Sequence, residues 1–340
     1  MHEGWDDDAR DRLGLLMDVR PAQAIAVLNH LGVADLLKEG PRRVGELAAA
    51  CDVHERTLYR LLRYAAMHGV FSEIEPESFT LTPMAAFLRS DAPQSRYWHV
   101  GGPTAMKPWY AWDDWMETVR TGEPAYDRAH GRSYWDTIRE DEAFRAAFQA
   151  SLREIAARQV PAVLPMVDLG AHRVLVDVGA GEGSWTAALL QRWPTLRAVC
   201  FEVAASTAAL GATLELAGVA DRAEVVTGDF LEQVPAGDVV LVANVLHDWD
   251  DEQAARILSN CAEALEERGE LIIVDRVLPE GDVPHPGKSV DINMLFNVGG
   301  RERTLREFDD LLASAGLSMS EHAGTASGVS VIRSKRSRGS

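Results

Sequence analysis

Cysteine, long apolar runs and positive charge are all scarce in this sequence. Its 340 residues include 3 cysteines, Cys51, Cys200 and Cys261, whose wide spacing fits neither a disulfide framework nor a metal site. No apolar stretch reaches the ~18 residues that a membrane span needs, and the acidic segment 1–12 lacks the apolar run of a secretory signal. The 34 basic side chains face 52 acidic ones, a net charge of -18, which opposes binding to a polyanion. We therefore expect a soluble cytoplasmic protein with no metal, no membrane partner and no nucleic-acid partner.

Apolar residues make up 46% of the chain and charged residues 25%, as in ordinary globular proteins. The pattern changes near residue 165, after which short apolar runs alternate with helix-length segments. These runs are 174–178, 197–203, 223–229, 238–245 and 270–277. Such spacing is typical of a parallel sheet covered on both faces. We predict an α/β protein with a mainly helical segment at 1–100, a helical linker at 101–165 and a doubly wound, Rossmann-like domain at 166–340.

Residues 42–90 have the order helix, turn, helix and hairpin, with the hairpin turn at 75–78, which suggests a winged helix. One interpretation is DNA binding, with Arg56, Arg60 and Arg63 of the second helix facing phosphates. The other is a packing or dimerisation module. Six basic residues in this segment balance six acidic ones, and this neutrality favours the second interpretation.

A glycine-rich turn directly follows the first predicted strand of the α/β half. It contains Gly179, Gly181 and Gly183, which permit close approach of the backbone to a ligand at a helix N-terminus. Glu182 inside the turn opposes a pyrophosphate but would tolerate a cationic ligand. Glu202 ends the next strand, where a carboxylate accepts hydrogen bonds from ribose hydroxyls. The pattern fits NAD or any other adenosine-bearing cofactor.

Five motifs in order resemble those of S-adenosylmethionine-dependent O-methyltransferases of the plant caffeate and bacterial aromatic-polyketide type. They are VDVGAGEGS, FEV, GDF at 228–230, VLHDWDD at 245–251 and GGRERT at 299–304. The resemblance covers essentially the whole chain. It implies S-adenosylmethionine as methyl donor, a small aromatic acceptor from secondary metabolism, and a homodimer formed through the N-terminal winged-helix domain.

The resemblance also nominates a catalytic set. His247 would be the general base that takes the proton of a phenolic hydroxyl as the methyl group is transferred in line. Glu302 and Asp275 would hold its other nitrogen. Plant relatives usually carry Glu at the position of Asp275, so the shorter side chain predicts a bridging water or a weaker hold, and we expect Glu302 to be the main partner.

By the same resemblance the glycines approach the methionine part of the donor, Glu202 the ribose, and Asp229 with Phe230 the adenine. The predicted donor-binding residues are Asp177, Gly179, Gly181, Gly183, Glu202, Asp229, Phe230, Asn244 and Trp249. Plant relatives often have Lys where this chain has Ala243, so Asn244 is a candidate to supply the missing contact.

Candidate acceptor contacts lie in the linker and in the C-terminal half. They are Phe144, Phe148, Leu152, Met294 and Asn297. An aromatic cluster could add a wall for a flat acceptor, and its members are Trp98, Trp109, Tyr110, Trp112 and Trp115.

Three alternatives remain open from the residues. The glycine turn also suits a nicotinamide oxidoreductase, and residues 42–90 could belong to a transcription regulator. The same scaffold could carry out N-methylation, hydroxylation or decarboxylation, since His247 disfavours these only moderately.

Overall fold

The computed structural model describes residues 12–13, 16, 18–101 and 115–337. The chain divides into two units, Met1–Lys107 and Pro108–Ser340. The helices that we predicted as a separate linker fall, where they are described, mainly in the second unit.

A winged helix forms the centre of the first unit. The elements of this unit are α1 Arg20–His30, α2 Val33–Leu36, β1 Arg42–Arg43, α3 Val44–Cys51, α4 Glu55–Met67, β2 Phe71–Glu75, β3 Ser78–Leu81, α5 Pro83–Ala86 and α6 Tyr97–Gly101. The strands pair antiparallel in the order β1-β3-β2. Helix α4 buries Leu58, Leu62 and Ala65 in one apolar cluster with Phe79. The predicted order of helix, turn, helix and hairpin is confirmed.

The second unit is an α/β domain preceded by helices. Its helices are α7 Trp115–Thr121, α8 Ala125–His130, α9 Tyr134–Glu140, α10 Glu142–Val163, α11 Ser184–Arg192, α12 Thr207–Leu216, α13 Asp251–Ala264, α14 Pro286–Asn297 and α15 Leu305–Ser314. Its strands are β4 Val174–Val178, β5 Arg197–Glu202, β6 Ala223–Thr227, β7 Gly237–Ala243, β8 Leu265–Asp275, β9 Val277–Leu278, β10 Arg303–Thr304, β11 Leu317–Gly324 and β12 Ser330–Arg336.

The main sheet has seven strands in the order β11-β12-β8-β7-β4-β5-β6. The five predicted strands lie parallel to one another, whereas β12 runs antiparallel to both β8 and β11. The five predicted parallel strands are confirmed, and the antiparallel pair β11 and β12 at this edge was not predicted. A short turn joins β11 to β12, and such a connection makes a hairpin, whereas parallel strands need a longer crossover.

Both faces of the central strands β4, β7 and β8 are buried, and their residues alternate between two apolar clusters. Leu175, Val239 and Ile272 pack with the residues of α10, α11 and α12 on one face. Val176 and Val240 pack with those of α13 and α15 on the other. This period of two matches a sheet covered by helices on each side. Because the strands are parallel, the loops that follow them lie at one edge of the sheet.

Both ends of α13 have a local cause. At its start the Asp250 side chain accepts a hydrogen bond from the Gln253 N–H at 2.8 Å. It ends at Ala264 because Leu265 adopts an extended conformation and pairs with Gly237 of β7. Within the described parts of the chain, none of the helices is both long enough and apolar enough to span a membrane.

Candidate active site

The glycine turn lies between β4 and α11 and has the backbone conformation that its sequence predicts. Gly179, Gly181 and Gly183 have φ angles of 69°, 58° and 89°, in the left-handed region that favours glycine. A Cβ on Gly179 would lie 2.7 Å from Val245 Cγ2, whereas one on Gly181 would meet only ordinary contacts, the nearest being Leu152 Cδ1 at 3.6 Å. Val245 therefore packs closely against the turn at Gly179, whereas the turn is more open at Gly181.

Glu202 fixes this turn through its carboxylate. Its two oxygens accept hydrogen bonds from the N–H groups of Gly181 and Val203, both at 2.8 Å. Burial raises the pKa of Glu202, while these two hydrogen bonds oppose the rise. A carboxylate oxygen has more than one lone pair, so the side chain can still accept hydrogen bonds from a ligand. The arrangement fits an adenosine-bearing cofactor.

Two acidic residues near the turn differ from expectation. Asp177 was a predicted cofactor contact, but it is 1% exposed and accepts a hydrogen bond from Thr186 Oγ1 at 2.5 Å. Burial raises its pKa to about 6. Glu182 was expected to repel phosphates, yet it is 3% exposed and faces Thr213 of α12 and the Ser184 N–H. Both side chains brace the turn internally instead of presenting charge to a ligand.

The end of β6 leads to a second group of predicted cofactor residues. The Leu231 N–H donates to Asp229 Oδ1 at 2.8 Å, and Asp229 is exposed. The Phe230 ring lies 3.8 Å from the position of a Cβ on Gly179 and packs edge-on against Trp249, with centroids 5.7 Å apart. The structure therefore places Phe230 beside the glycine turn and Trp249 beside Phe230.

Asn244 is occupied by a neighbour that the sequence did not reveal. Its carboxamide pairs reciprocally with that of Gln159 on α10, at 2.8 and 3.2 Å. Asn244 also has a positive φ of 53°, a conformation that Asn tolerates better than most residues. The pair connects the residue after β7 to α10 and so fixes the backbone at Asn244.

His247 lies in the short turn Leu246–Asp248, just after β7, and is 9% exposed. Its Nδ1 lies 3.1 Å from Glu302 Oε1 and 3.1 Å from Asp275 Oδ1. Asp275 reaches the imidazole without a bridging water, because the end of β8 brings its oxygen as close as that of Glu302. The hydrogen bond of Nδ1 is to Glu302, which agrees with a weaker hold by Asp275. Asp248 was not predicted as a neighbour of the ring, yet its Oδ1 lies 3.6 Å from Nε2.

These acids determine the electrostatics of the imidazole. Burial by itself lowers the pKa of His247, but Asp275, Glu302 and Asp248 outweigh burial and raise it well above its ordinary value. Burial raises the pKa of Asp248 to about 7, and the neighbouring carboxylates add to the effect. A proton on the imidazole is thus strongly stabilised.

His247, Asp275 and Glu302 also bring possible metal-ligand atoms within 4.8 Å of one another. However, Nδ1 faces the carboxylate oxygens at hydrogen-bonding distance, and Arg276 Nη1 lies 3.3 Å from Glu302 Oε1. A guanidinium beside the same oxygen opposes a second cation, so this donor set fits a held imidazole better than a metal ion.

The loop before α15 clamps the His247 turn. Arg303 is 1% exposed, and its guanidinium donates to the carbonyls of Leu246 at 2.8 Å and Trp249 at 2.9 Å. Gly300 packs so closely that a Cβ there would lie 2.1 Å from the His247 carbonyl oxygen. Both residues belong to the motif GGRERT, but a buried Arg and a close-packed Gly give no sequence pattern from which these contacts could be predicted.

Aromatic rings form a continuous path on the helices before the sheet. Tyr134 and Trp135 of α9 pack edge-on against Phe148, with centroids 6.1 and 6.3 Å apart. Trp135 also stacks on Trp249 at 6.2 Å, with the ring planes 9° apart. Of the predicted acceptor residues, Leu152 thus lies near the glycine turn and Phe148 joins this aromatic path.

The other predicted acceptor residues lie among helices α7, α10 and α14. Phe144 is buried and contacts Tyr134, with centroids 5.4 Å apart. Met294 is half-buried, and Asn297 donates to Asn293 Oδ1 at 2.7 Å. Within the described parts of the chain, Asn297 Oδ1 is a buried acceptor without a hydrogen-bond partner.

The predicted aromatic cluster is described only in part. Trp109, Tyr110 and Trp112 lie outside the described residues. Trp98 lies in the first unit, and Trp115 stacks on Phe296 with centroids 4.1 Å apart.

These features define a Rossmann-like enzyme that binds an adenosine-bearing cofactor. They are the strand order, the glycine turn, the carboxylate of Glu202 after the second strand, and the buried group of His247 with its carboxylates. The model of the O-methyltransferase domain matches residues 109–318, and that of the O-methyltransferase dimerisation domain matches residues 15–91. The chain belongs to the O-methyltransferase family, so the predicted family, fold class and enzyme class are confirmed.

Individual relatives are similar over most of their length. A phenazine O-methyltransferase of Lysobacter antibioticus is 37% identical over 318 residues, covering 92% of each chain. A mitomycin biosynthesis 6-O-methyltransferase of Streptomyces lavendulae is 36% identical over 308 residues, covering 89% of this chain and 87% of the relative. An O-methyltransferase from neocarzinostatin biosynthesis was solved with S-adenosyl-L-homocysteine and 1,4-dihydroxy-2-naphthoic acid. It superposes with a TM-score of 0.86 at 30% identity, covering 95% of this chain and 98% of that chain.

Proposed function

We propose that this enzyme methylates a phenolic hydroxyl of an aromatic natural-product molecule, with His247 as general base. The observation that carries the proposal is the buried imidazole, whose Nδ1 is held by two carboxylates at 3.1 Å. A histidine held at one nitrogen presents the other to a substrate in a fixed orientation. Three relatives support the substrate class, a phenazine O-methyltransferase, a mitomycin biosynthesis 6-O-methyltransferase and a dihydroxy-methyl-naphthoate 7-O-methyltransferase.

The predicted methyl donor, S-adenosylmethionine, is confirmed by the family. When bound, it supplies an electrophilic methyl group on a sulfonium. The residues present fit it, because Gly181 offers an open backbone and Glu202 a fixed acceptor. We assign Phe230 and Asp229 to the adenine, and we assign Asp177 to bracing the turn.

The chain's own contribution to the chemistry is a proton acceptor and a fixed geometry. A phenol with a pKa near 10 is ionised about one part in a thousand at neutral pH, which costs about 4 kcal/mol. Transfer of its proton to His247 Nε2 offsets much of this cost, and Asp275 and Glu302 stabilise the resulting imidazolium. Arg303 and Gly300 fix the turn that positions the ring.

The acceptor pocket is assigned to aromatic and apolar side chains from the helices before the sheet and from α14. These are Phe144, Phe148, Leu152, Trp135, Met294 and Asn297. Flat ring faces favour a planar acceptor, and the unpartnered Asn297 Oδ1 can accept a hydrogen bond from a second polar group on it. The dimerisation domain supports a homodimer as the working form.

The decisive test is His247→Asn assayed with S-adenosylmethionine and a panel of phenolic and polyketide acceptors, read by mass spectrometry for the gain of one methyl group. We expect kcat to fall by about 10² to 10⁴, while calorimetry shows unchanged binding of S-adenosylmethionine. Acidified phenols should depend less on the histidine, because more of the acceptor is already ionised.

The matched control is His322→Gln, which replaces an exposed histidine on β11 and should leave turnover unchanged. Undiminished turnover of a high-pKa phenol by His247→Asn would contradict the base assignment. Preferential methylation of amine acceptors would move the enzyme to N-methylation.

A further inference from the structure

One oxygen of Glu302 is shared by two cationic groups. Oε1 lies 3.1 Å from His247 Nδ1 and 3.3 Å from Arg276 Nη1, while Oε2 is buried without a hydrogen-bond partner among the described residues. Glu302 is fully buried, and the Arg276 side chain is 15% exposed. Such a pair is poorly screened by solvent, so the guanidinium and the imidazole compete for the same negative charge.

The charges around the imidazole are strongly unbalanced. The charged and titratable side chains that face it or its partners are Asp248 of the turn, Asp275 and Arg276 at the end of β8, Glu302 before β10, Asp291 of α14 and Tyr134 of α9. Four are carboxylic acids, and Arg276 is the cation that contacts one of them, Glu302. The buried guanidinium of Arg303 also lies at this turn, where it binds the Leu246 and Trp249 carbonyls and pairs with Asp251. The Arg276 N–H also donates to Asp275 Oδ1 at 3.0 Å.

This imbalance bears on the proposed reaction. A general base must be neutral before it can accept a proton, yet carboxylates on both sides of His247 favour its charged form. Arg276 opposes them, since its guanidinium lies 3.3 Å from the Glu302 oxygen that the imidazole also contacts, and a positive charge disfavours a second cation nearby.

We propose that Arg276 is a positioning residue that offsets part of the negative charge of Glu302 and so limits how strongly the surrounding carboxylates favour the charged form of His247. The inference rests on the proposed role of His247 as base. Arg276 also has a geometric effect, because its guanidinium orients the Glu302 oxygen that the imidazole contacts.

The direct test is an NMR titration of ¹³C-labelled histidine in the full-length protein, with the His247 signal assigned from its loss in His247→Asn. Replacing Arg276 by Gln should raise the His247 pKa by about one pH unit or more, the size expected for removing a unit charge a few ångströms away. Arg276→Lys should restore most of the wild-type value. The control Arg306→Gln removes an equal charge from a side chain that is 79% exposed and should not move it.

The activity profile provides the second readout. In Arg276→Gln the apparent pKa of the acid limb in the kcat–pH profile should rise by as much as the His247 pKa measured by NMR. The kcat on the alkaline plateau should stay within about twofold of wild type. A merely structural role would instead lower the rate at every pH and leave the limb in place.

The two hypotheses fail differently. An unchanged His247 pKa in folded Arg276→Gln would overturn the role of Arg276, whatever the reaction. A shifted pKa without a shifted activity limb would uphold the electrostatic effect but refute His247 as base. In a Glu302→Gln background the effect of Arg276→Gln should shrink by at least half, and an undiminished shift would refute the route through Glu302.

Discussion

At the scale of single residues, the His247 turn depends on Gly300, a position with no room for a side chain. A Cβ on Gly300 would lie 2.1 Å from the His247 carbonyl oxygen and 2.5 Å from the carbonyl carbon of Asp248. Both neighbours are backbone atoms, so the turn itself must move. Arg303 also donates hydrogen bonds to two carbonyls of this turn. The turn therefore cannot shift without breaking those hydrogen bonds.

We therefore expect Gly300→Ala to reduce kcat by at least about 10²-fold, since small displacements of a catalytic group have that effect. It should also destabilise the fold by about 1–3 kcal/mol through overpacking. Steady-state kinetics and urea unfolding measure the two effects.

Gly211 of α12 provides the matched control, because a Cβ there meets nothing within 4 Å. Gly211→Ala should leave kcat unchanged and stabilise the protein by about 0.4–1 kcal/mol. Equal activity in the two alanine variants would show that the turn tolerates displacement.

At the scale of elements, β4 could be predicted residue by residue, because its apolar run is bounded by charge and glycine. The reversed strand β12 could not, since Arg333 and Lys335 interrupt the apolar pattern of an element that is buried only in part. The same difference holds at the site. His247 and Glu302 stand in recognisable motifs, whereas Arg276 and Gln159 reach their partners only through the tertiary fold.

A second histidine cluster links the elements at the opposite edge of the sheet. Arg333 of β12 forms a bidentate ion pair with Glu270 of β8 at 2.6 and 3.0 Å, and His172 before β4 contacts the same carboxylate at 2.9 Å. The hydrogen bond to Glu270 raises the pKa of His172. Burial raises the pKa of Glu270, but His172 and Arg333 outweigh it and lower the value to about 2.

The two shifts set opposite limits on stability. The raised pKa of His172 stabilises the fold fully below its ordinary value of 6.5, and this contribution is lost as pH rises through the folded value. The lowered pKa of Glu270 stabilises the fold above its ordinary 4.5, and this contribution is lost as pH falls towards 2. The cluster is therefore most stabilising between pH 4.5 and pH 6.5.

His172→Gln should accordingly cost more free energy of unfolding at about pH 5.5 than at about pH 9, as measured by urea denaturation. Glu270→Gln should cost about 1–3 kcal/mol at about pH 5.5, the range for losing hydrogen bonds to a charged group. His322 is the control, because partial burial of its ring lowers its pKa. The cost of His322→Gln in free energy of unfolding should therefore not be greater at about pH 5.5 than at about pH 9. A pH-independent cost for His172→Gln would show that its proton does not stabilise the fold.

At the scale of the whole molecule, the acidic excess is distributed unevenly between the two units. Met1–Lys107 contains 15 acidic and 12 basic residues, a net charge of -3, and Pro108–Ser340 contains 37 and 22, a net charge of -15, which together give the -18 of the chain. The unit that includes the dimerisation domain is thus close to neutral. Self-association through it meets little repulsion, whereas association through the other unit would bring two strongly negative surfaces together.

Salt therefore distinguishes where a homodimer forms. We expect sedimentation equilibrium to give twice the chain mass of 37.2 kDa. The dimer dissociation constant should change by less than about tenfold between about 0.1 M and about 1 M NaCl, over which the screening length falls from about 10 Å to about 3 Å. An interface in the acidic unit would instead tighten strongly as salt screens its repulsion. A steep salt dependence would place the contact outside the dimerisation domain, and a monomer at micromolar concentration would refute the homodimer.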